Sequence, residues 1–205
     1  MTLVSPNQAL AHGGDEPFSS PLLGEVIARF DLPARHVILL PGASDPGILT
    51  LLQGKRCRIL VADSAQALSE WSEESSDAQA LSEQMERLII SAGTEKIDTV
   101  LCWDLLNYLN PPLLKAFAER LASIMAPEGI VHAYIHSASS EMPQSPKHYR
   151  LDEEGRVLCI SRGPALRKTP RYSYADLEKH ATGFRVMRSM LLRNGIQEYL
   201  LRLNQ

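Results

Sequence analysis

"HVILLPGASDPGILTLL", residues 36–52, is the stretch whose reading decides the fold. His36 to Leu40 form an almost unbroken apolar run, the pattern of a strand covered on both faces in a parallel sheet. Pro41-Gly42 breaks the run. A helix then starts, with Asp45 as candidate N-cap, Pro46 at the first helical position and Gly54 as its stop. A strand that stops at a glycine turn before a helix lets backbone N–H groups approach a ligand with no Cβ in the way.

The same alternation continues outward. Upstream, "PLLGEVIARF" carries Leu22, Leu23, Val26, Ile27 and Phe30 at helical spacing, and Pro33 ends it. Downstream, "CRILVAD" is a second buried strand that ends on an acid. In residues 64–93, "DAQALSEQMERLIISAG" puts Leu81, Met85, Leu88 and Ile89 on one helical face, with Gly93 as terminator. "KIDTVLCW" is a third strand. "NPPLLKAFAERLASIMAPEG" is a helix capped by Asn110, opened by Pro111 and Pro112 and closed before Pro127. "GIVHAYIH" is a fourth strand. Strands alternating with helices predict a three-layer α/β fold around a mainly parallel sheet.

The last third changes character. "KHYRLDEEGRVLCISR" reads as a hairpin turning at Glu153-Glu154-Gly155, an insertion at about residues 147–162. "SYADLEKHA" is a short helix with Ser173 as cap and Asp176 three residues on. "FRVMRSMLLR" and "EYLLRL" flank Asn194-Gly195, a strong signal for an antiparallel hairpin. Residues 1–20 are rich in Gly, Ser and Pro and read as a flexible leader to one domain over 21–205.

With 44% hydrophobic and 22% charged residues, this 205-residue chain can bury a sizeable core. No apolar run approaches the ~18 residues of a membrane-spanning helix. The start of the chain lacks a basic, then apolar, signal pattern. Cys57, Cys102 and Cys159 are widely separated, which suggests reduced thiols and a cytoplasmic protein. Residues 1–146 hold 9 Lys/Arg and 18 Asp/Glu, whereas residues 147–205 hold 12 and 6. The first part is therefore at −9 and the second at +6. The basic third is a candidate surface for an acidic protein or anionic partner, beside the plainer reading of solvated charge.

Four stretches together resemble the class I S-adenosylmethionine-dependent methyltransferases over roughly residues 20–205. "VILLPGASDPG" is similar to the family's glycine-rich first motif. "ILVADS" matches its second strand, ending in the acid that holds the ribose hydroxyls. "IDTVLCWDLLNYLNPP" resembles the strand that runs into the active-site loop. "LLKAFAERLASIMAPEGIVHAYI" resembles the helix, Pro-x-Gly, strand signature. The reversed last strand of that family also matches the closing hairpin.

The resemblance implies a Rossmann-like methyltransferase fold with S-adenosylmethionine as cofactor and an acceptor of unknown identity. It implies cofactor contacts at Gly42, Ala43, Ser44 and Gly47 in the first turn, Asp63 and Ser64 at the ribose, and Asp77 and Ala78 at the adenine. Trp103 is a further candidate, at the end of the third strand. Asp63 can equally cap the next helix, as can Asp77, and Trp103 can simply pack. Asp104, Asn107, Tyr108 and His136 are the candidates for orienting or deprotonating the acceptor.

The chain departs from the family at two points. Leu39 or Leu40 stands where the first-motif acid belongs, and Pro41 withholds an amide. The residues before Asp77, "SEWSEESS", are too polar for an ordinary third strand. These departures keep open a second reading, a catalytically inactive methyltransferase-like binding or scaffold protein. His132 and His136 share a strand face with Tyr134, but no third ligand stands at metal spacing, so no metal site is expected.

Overall fold

The structure, a computed structural model, describes residues 16–42, 46–62, 83, 85–86, 89, 93–136, 138–161 and 163–204. Within them lie ten strands: β1 His36–Leu40, β2 Cys57–Val61, β3 Ile97–Trp103, β4 Met125–Ile135, β5 Glu141–Pro143, β6 His148–Leu151, β7 Val157–Ile160, β8 Leu166–Lys168, β9 Phe184–Leu191 and β10 Gln197–Leu203. Four α-helices accompany them: α1 Pro21–Ala28, α2 Pro46–Leu52, α3 Pro111–Ile124 and α4 Tyr174–His180.

Six strands form the main sheet in the order β2-β1-β3-β4-β10-β9. Strands β1 to β4 pair in parallel. β10 runs antiparallel to both β4 and β9, so it is the one reversed strand of this sheet. This is the α/β fold of class I methyltransferases, a mostly parallel Rossmann-like sheet closed by an antiparallel hairpin. The polar segment before Asp77 lies outside the described residues.

Strand alternation explains the layering. Val37, Leu39, Val100, Cys102, Val131, Ala133, Tyr199 and Leu201 enter one core with α3 and α4. Ile38, Leu40, Leu101, Trp103, Tyr134 and Leu200 enter a second core on the opposite face, with α1, α2 and the β6–β7 hairpin. Met85 and Ile89, from the helical face read in sequence, are buried in the first core, and the Ile89 amide bonds the Met85 carbonyl. The sheet is thus covered on both faces, and burial of these apolar side chains is the main force holding helices to it.

Local signals also hold. Asn110 Oδ1 accepts from the Leu113 amide at 3.1 Å, capping α3. Ser173 and Asp176 exchange hydrogen bonds as a full capping box on α4. Asn194-Gly195 turns the closing hairpin, with Gly195 at φ +78°. One boundary differs from the sequence reading. β4 begins at Met125, directly after α3, rather than at Gly129. Its pairing with β3 slips between Ile97 and Thr99, and the extra residues bulge out. A Cβ at Gly129 would stand 2.8 Å from the Ala126 carbonyl oxygen, so the bulge demands glycine there.

Residues 16–20, which composition assigns to the leader, pack onto the body. Phe18 exchanges both backbone hydrogen bonds with Val157 of β7, at 2.9 and 2.8 Å, and its ring meets Tyr134 edge-on at 5.8 Å. β5 and β8 form a small separate sheet that sequence reading did not anticipate.

Candidate active site at the carboxyl ends of β3 and β4

β3 delivers its site residues through an unusual turn. Trp103 has φ +49°, a conformation that a bulky residue rarely adopts. Its indole is held by stacking on Tyr149 of β6, with centroids 5.1 Å apart and planes within 4°. The next residue, Asp104, is fully buried. One carboxylate oxygen accepts from the Lys147 amide at 3.2 Å, while Oδ1 has no hydrogen-bond partner. Burial pushes this carboxyl up to about 7, against the pull of the Lys147 amide and charge.

Asn107, also fully buried, ties this turn to β4. Its Nδ2 donates to the carbonyls of Asp104 (3.0 Å) and Tyr134 (2.9 Å), and its Oδ1 accepts from the His136 amide (2.9 Å). Both Nδ2 protons and one acceptance at Oδ1 go to backbone groups, so Asn107 staples the turn to β4. Tyr108 points into the other core. Its hydroxyl donates to the Ser145 carbonyl at 3.0 Å, and Arg167 lies 5.9 Å over its ring.

On β4, alternation puts His132, Tyr134 and His136 on the α1 face. Tyr134 Oη lies 2.6 Å from Ser20 Oγ. Glu198 of β10, fully buried, gathers Ser20 Oγ, the amides of Leu22 (3.2 Å) and Leu23 (2.9 Å), and His132 Nε2 (2.8 Å). These bonds outweigh burial and hold the Glu198 carboxyl below its usual range. Because Leu22 and Leu23 open α1, the same carboxylate caps that helix. His136 ends the strand. Burial first, and the Lys147 charge second, push its imidazole down to about 3, so it is neutral at physiological pH. Its Nε2 lies 3.4 Å from the Tyr149 hydroxyl.

A cleft of about 930 Å³ opens beside His136. Glu16 to Ser19 and Pro21 wall one side, Lys147 and Cys159 of the inserted hairpin region another, and the β9–β10 turn a third. Glu198 and Val157 therefore clamp one wall of this cleft from two directions.

The structure thus brings Asp104, Asn107 and His136 together and sets Trp103 beside them, packed on Tyr149. Tyr108, next in sequence, packs into the first core with its hydroxyl on the Ser145 carbonyl, within reach of the Asp104 charge. Gly42 is half-buried after β1, and Gly47 lies in the first turn of α2. Ala43, Ser44, Asp63, Ser64, Asp77 and Ala78 lie outside the described residues. The Ala62 amide bonds the Leu40 carbonyl at 3.0 Å, so β1 and β2 end side by side, as a shared ligand site requires. Leu39 and Leu40 enter opposite cores, and neither offers a charge to that site.

Sequence reading missed Ser20, Lys147, Tyr149, Cys159 and Glu198. Glu198 carried a signal, an acid in an apolar strand at an inward position. Lys147 carried none, because its place depends on how the insertion folds back.

No family model matches the chain, and no curated protein matches it in sequence. Solved structures do. An S-adenosylmethionine-dependent methyltransferase from Clostridium acetobutylicum superposes with TM-score 0.54 at 13% identity, over 90% of each chain. A protein from Pyrococcus horikoshii gives 0.52 at 14%, over 90% of this chain and 88% of its own. The glycopeptide N-methyltransferase MtfA, complexed with S-adenosylhomocysteine, gives 0.50 at 13%, over 96% and 95%. At these identities the likeness is one of fold.

Proposed function

We propose that the chain is an S-adenosylmethionine-dependent methyltransferase whose acceptor binds in the cleft at the carboxyl end of β4. The observation that carries this reading is the strand order with β10 reversed between β4 and β9, combined with a cleft-lining histidine at the end of β4. In open α/β sheets, ligands bind outside the carboxyl ends of the strands.

Backbone amides of Gly42, Ala43, Ser44 and Gly47 would hold the amino-acid end of the cofactor, Asp63 and Ser64 its ribose, and Asp77 and Ala78 its adenine, with Trp103 near it at the end of β3. The bound group supplies an electrophilic methyl on a sulfonium. The residues of this chain align the acceptor with it: His136 faces the acceptor directly, while Asp104 and Asn107 hold the β3 turn and the end of β4 in register. Tyr108 acts through packing of the same turn. No charge at Leu39 or Leu40 meets the ammonium of the cofactor, and a charge-assisted bond of that kind contributes ~1.5–3 kcal/mol. Cofactor affinity is accordingly modest.

Calorimetry with S-adenosylmethionine and S-adenosylhomocysteine tests the reading. Binding is expected in the tens to hundreds of micromolar, and Asp63→Ala weakens it by ~1.5–3 kcal/mol. No binding at millimolar ligand overturns the enzyme reading and leaves a binding or scaffold role.

A cytoplasmic setting fits the three free thiols, and among the described residues no helix is long and apolar enough to cross a membrane. The basic C-terminal third enters the reading as a surface for an anionic partner, centred on Arg167, Lys168 and Arg171. Arg156, Arg188 and Arg202 of the same third are already matched within the chain, by Asp152 and Glu154, by Glu25 and by Glu128.

A further inference from the structure

The walls of the cleft carry a half-buried ammonium, Lys147. Among the described residues no carboxylate forms an ion pair with it. Its side chain bonds Cys159 instead, and its charge acts on the His136 ring. Asp104, fully buried behind the wall, meets Lys147 through the backbone amide and by attraction at longer range. Glu16 and Arg193, both exposed, line the same cleft. Burial shifts Asp104 toward its protonated form, so it offers Lys147 only part of a counter-charge, and an incoming anion supplies the rest. The rest of the lining is largely apolar, including Phe18, Met190, Leu192 and Ile196. The volume of about 930 Å³ falls in the ~300–1,000 Å³ range of small-molecule sites.

We propose that this cleft takes a small aromatic or conjugated acceptor with an acidic hydroxyl, a phenol or an enol. It binds as the oxyanion, with its oxygen at Lys147 and His136 and its flat body against Phe18, Met190 and Ile196. This inference rests on the methyl-transfer reading and names its acceptor class.

The protonation states select an acidic hydroxyl over the alternatives. His136, held down at about 3, is too weak a base to take the proton of an aliphatic alcohol. Asp104 does not line the cleft. An amine acceptor would arrive as an ammonium and meet Lys147 as a like charge. A phenol or enol loses its proton to water at the cleft mouth as it binds, because Lys147 stabilises the oxyanion. An oxygen lone pair then forms the bond to the methyl carbon. The carbon–sulfur bond breaks with its electron pair staying on sulfur, and the anion and sulfonium leave as a neutral ether and a neutral thioether. Lys147 loses its counter-charge in the process, which favours product release.

The probe is 4-nitrophenol, whose phenolate absorbs visible light and whose phenol form does not. The full chain, at a mildly acidic pH where the free probe is protonated, should bring up the phenolate band saturably. Nitrobenzene, which has no hydroxyl, should bind about tenfold weaker or worse. K147Q should remove the band and weaken the probe by a similar factor, and K147R should restore it. An absent band, equal binding of nitrobenzene, or K147Q behaving as the parent overturns the proposal. If K147Q melts early, the nitrobenzene comparison on the parent decides. Calorimetry with S-adenosylhomocysteine on the same parent separates the two readings. Cofactor binding without the band overturns the acceptor class alone, whereas the band without cofactor binding overturns methyl transfer and leaves the anion site standing.

Discussion

The carboxyl ends of β1 and β4 lie two strands apart in one sheet and are built on opposite principles. At β1, Leu39 and Leu40 sink into the two cores and Pro41 has no amide N–H, so among the described residues no side chain at this strand end offers a charge. At β4, three polar side chains on one face meet a buried carboxylate, a serine, a tyrosine and a cleft-lining lysine drawn from across the chain. The β1 end can bind through main-chain geometry that many sequences satisfy. The β4 end depends on particular side chains, each of which is costly to leave unpaired. On the proposed function, selectivity belongs to the β4 side.

The largest expected break in this comparison comes from Glu198→Ala. It strands His132, Ser20 and the first amides of α1, and should lower stability by about 3–5 kcal/mol in urea unfolding. Glu198→Gln keeps an acceptor and should cost clearly less. A loss below about 1 kcal/mol for the alanine variant would show that the network does not hold the cleft wall.

Asp104 should reveal itself through pH. Its folded-state value of about 7 lies above the ordinary carboxylate value of 3.8. Its contribution is therefore fully present below about pH 4 and is lost as pH rises to about 7. The difference amounts to roughly 4 kcal/mol. His136, lowered to about 3, acts in the opposite sense, losing stability as pH falls below its ordinary value of 6.5. Comparing melting temperatures of the parent and Asp104→Asn isolates the first effect: the variant should gain on the parent steadily from pH 4 to 7. A constant gap across that range would contradict the buried, proton-binding state of Asp104.

Asn107→Ala removes three hydrogen bonds between the β3 turn and β4. It should destabilise by about 2–3 kcal/mol, and amide exchange should rise first at His136. Exchange rising evenly over the sheet would argue against a local staple.

The smallest effect on stability is expected at the basic surface. Reversing charge at Arg167 and Lys168 removes one cation–π contact and should cost less than about 1 kcal/mol. Its main expected outcome is weaker co-purification with an anionic partner at low salt, fading as salt rises. Unchanged association would remove that surface from the proposal.

The sequence by itself determined the strands of the main sheet to within a boundary, α1, α3 and α4, and the caps of α3 and α4, because those signals are local. An apolar run long enough for one strand, a Pro-Pro start after Asn110, and Asn194-Gly195 between apolar runs are read within a few residues. It also located Asp104, Asn107 and His136, because strand ends in such a sheet converge on one edge. Alternation alone put His132 and His136 on the face of Tyr134. What only the tertiary structure decided was which of these residues act together. Glu198 meets Ser20 across 178 positions, and Asp104 meets Lys147 across 43. Tyr108 and Asn107, neighbours in the chain, were sent into different surroundings by a single turn of backbone. The physical reason is that a buried carboxylate or a half-buried lysine takes its chemistry from what surrounds it. That surrounding is assembled from segments whose mutual approach no local pattern encodes.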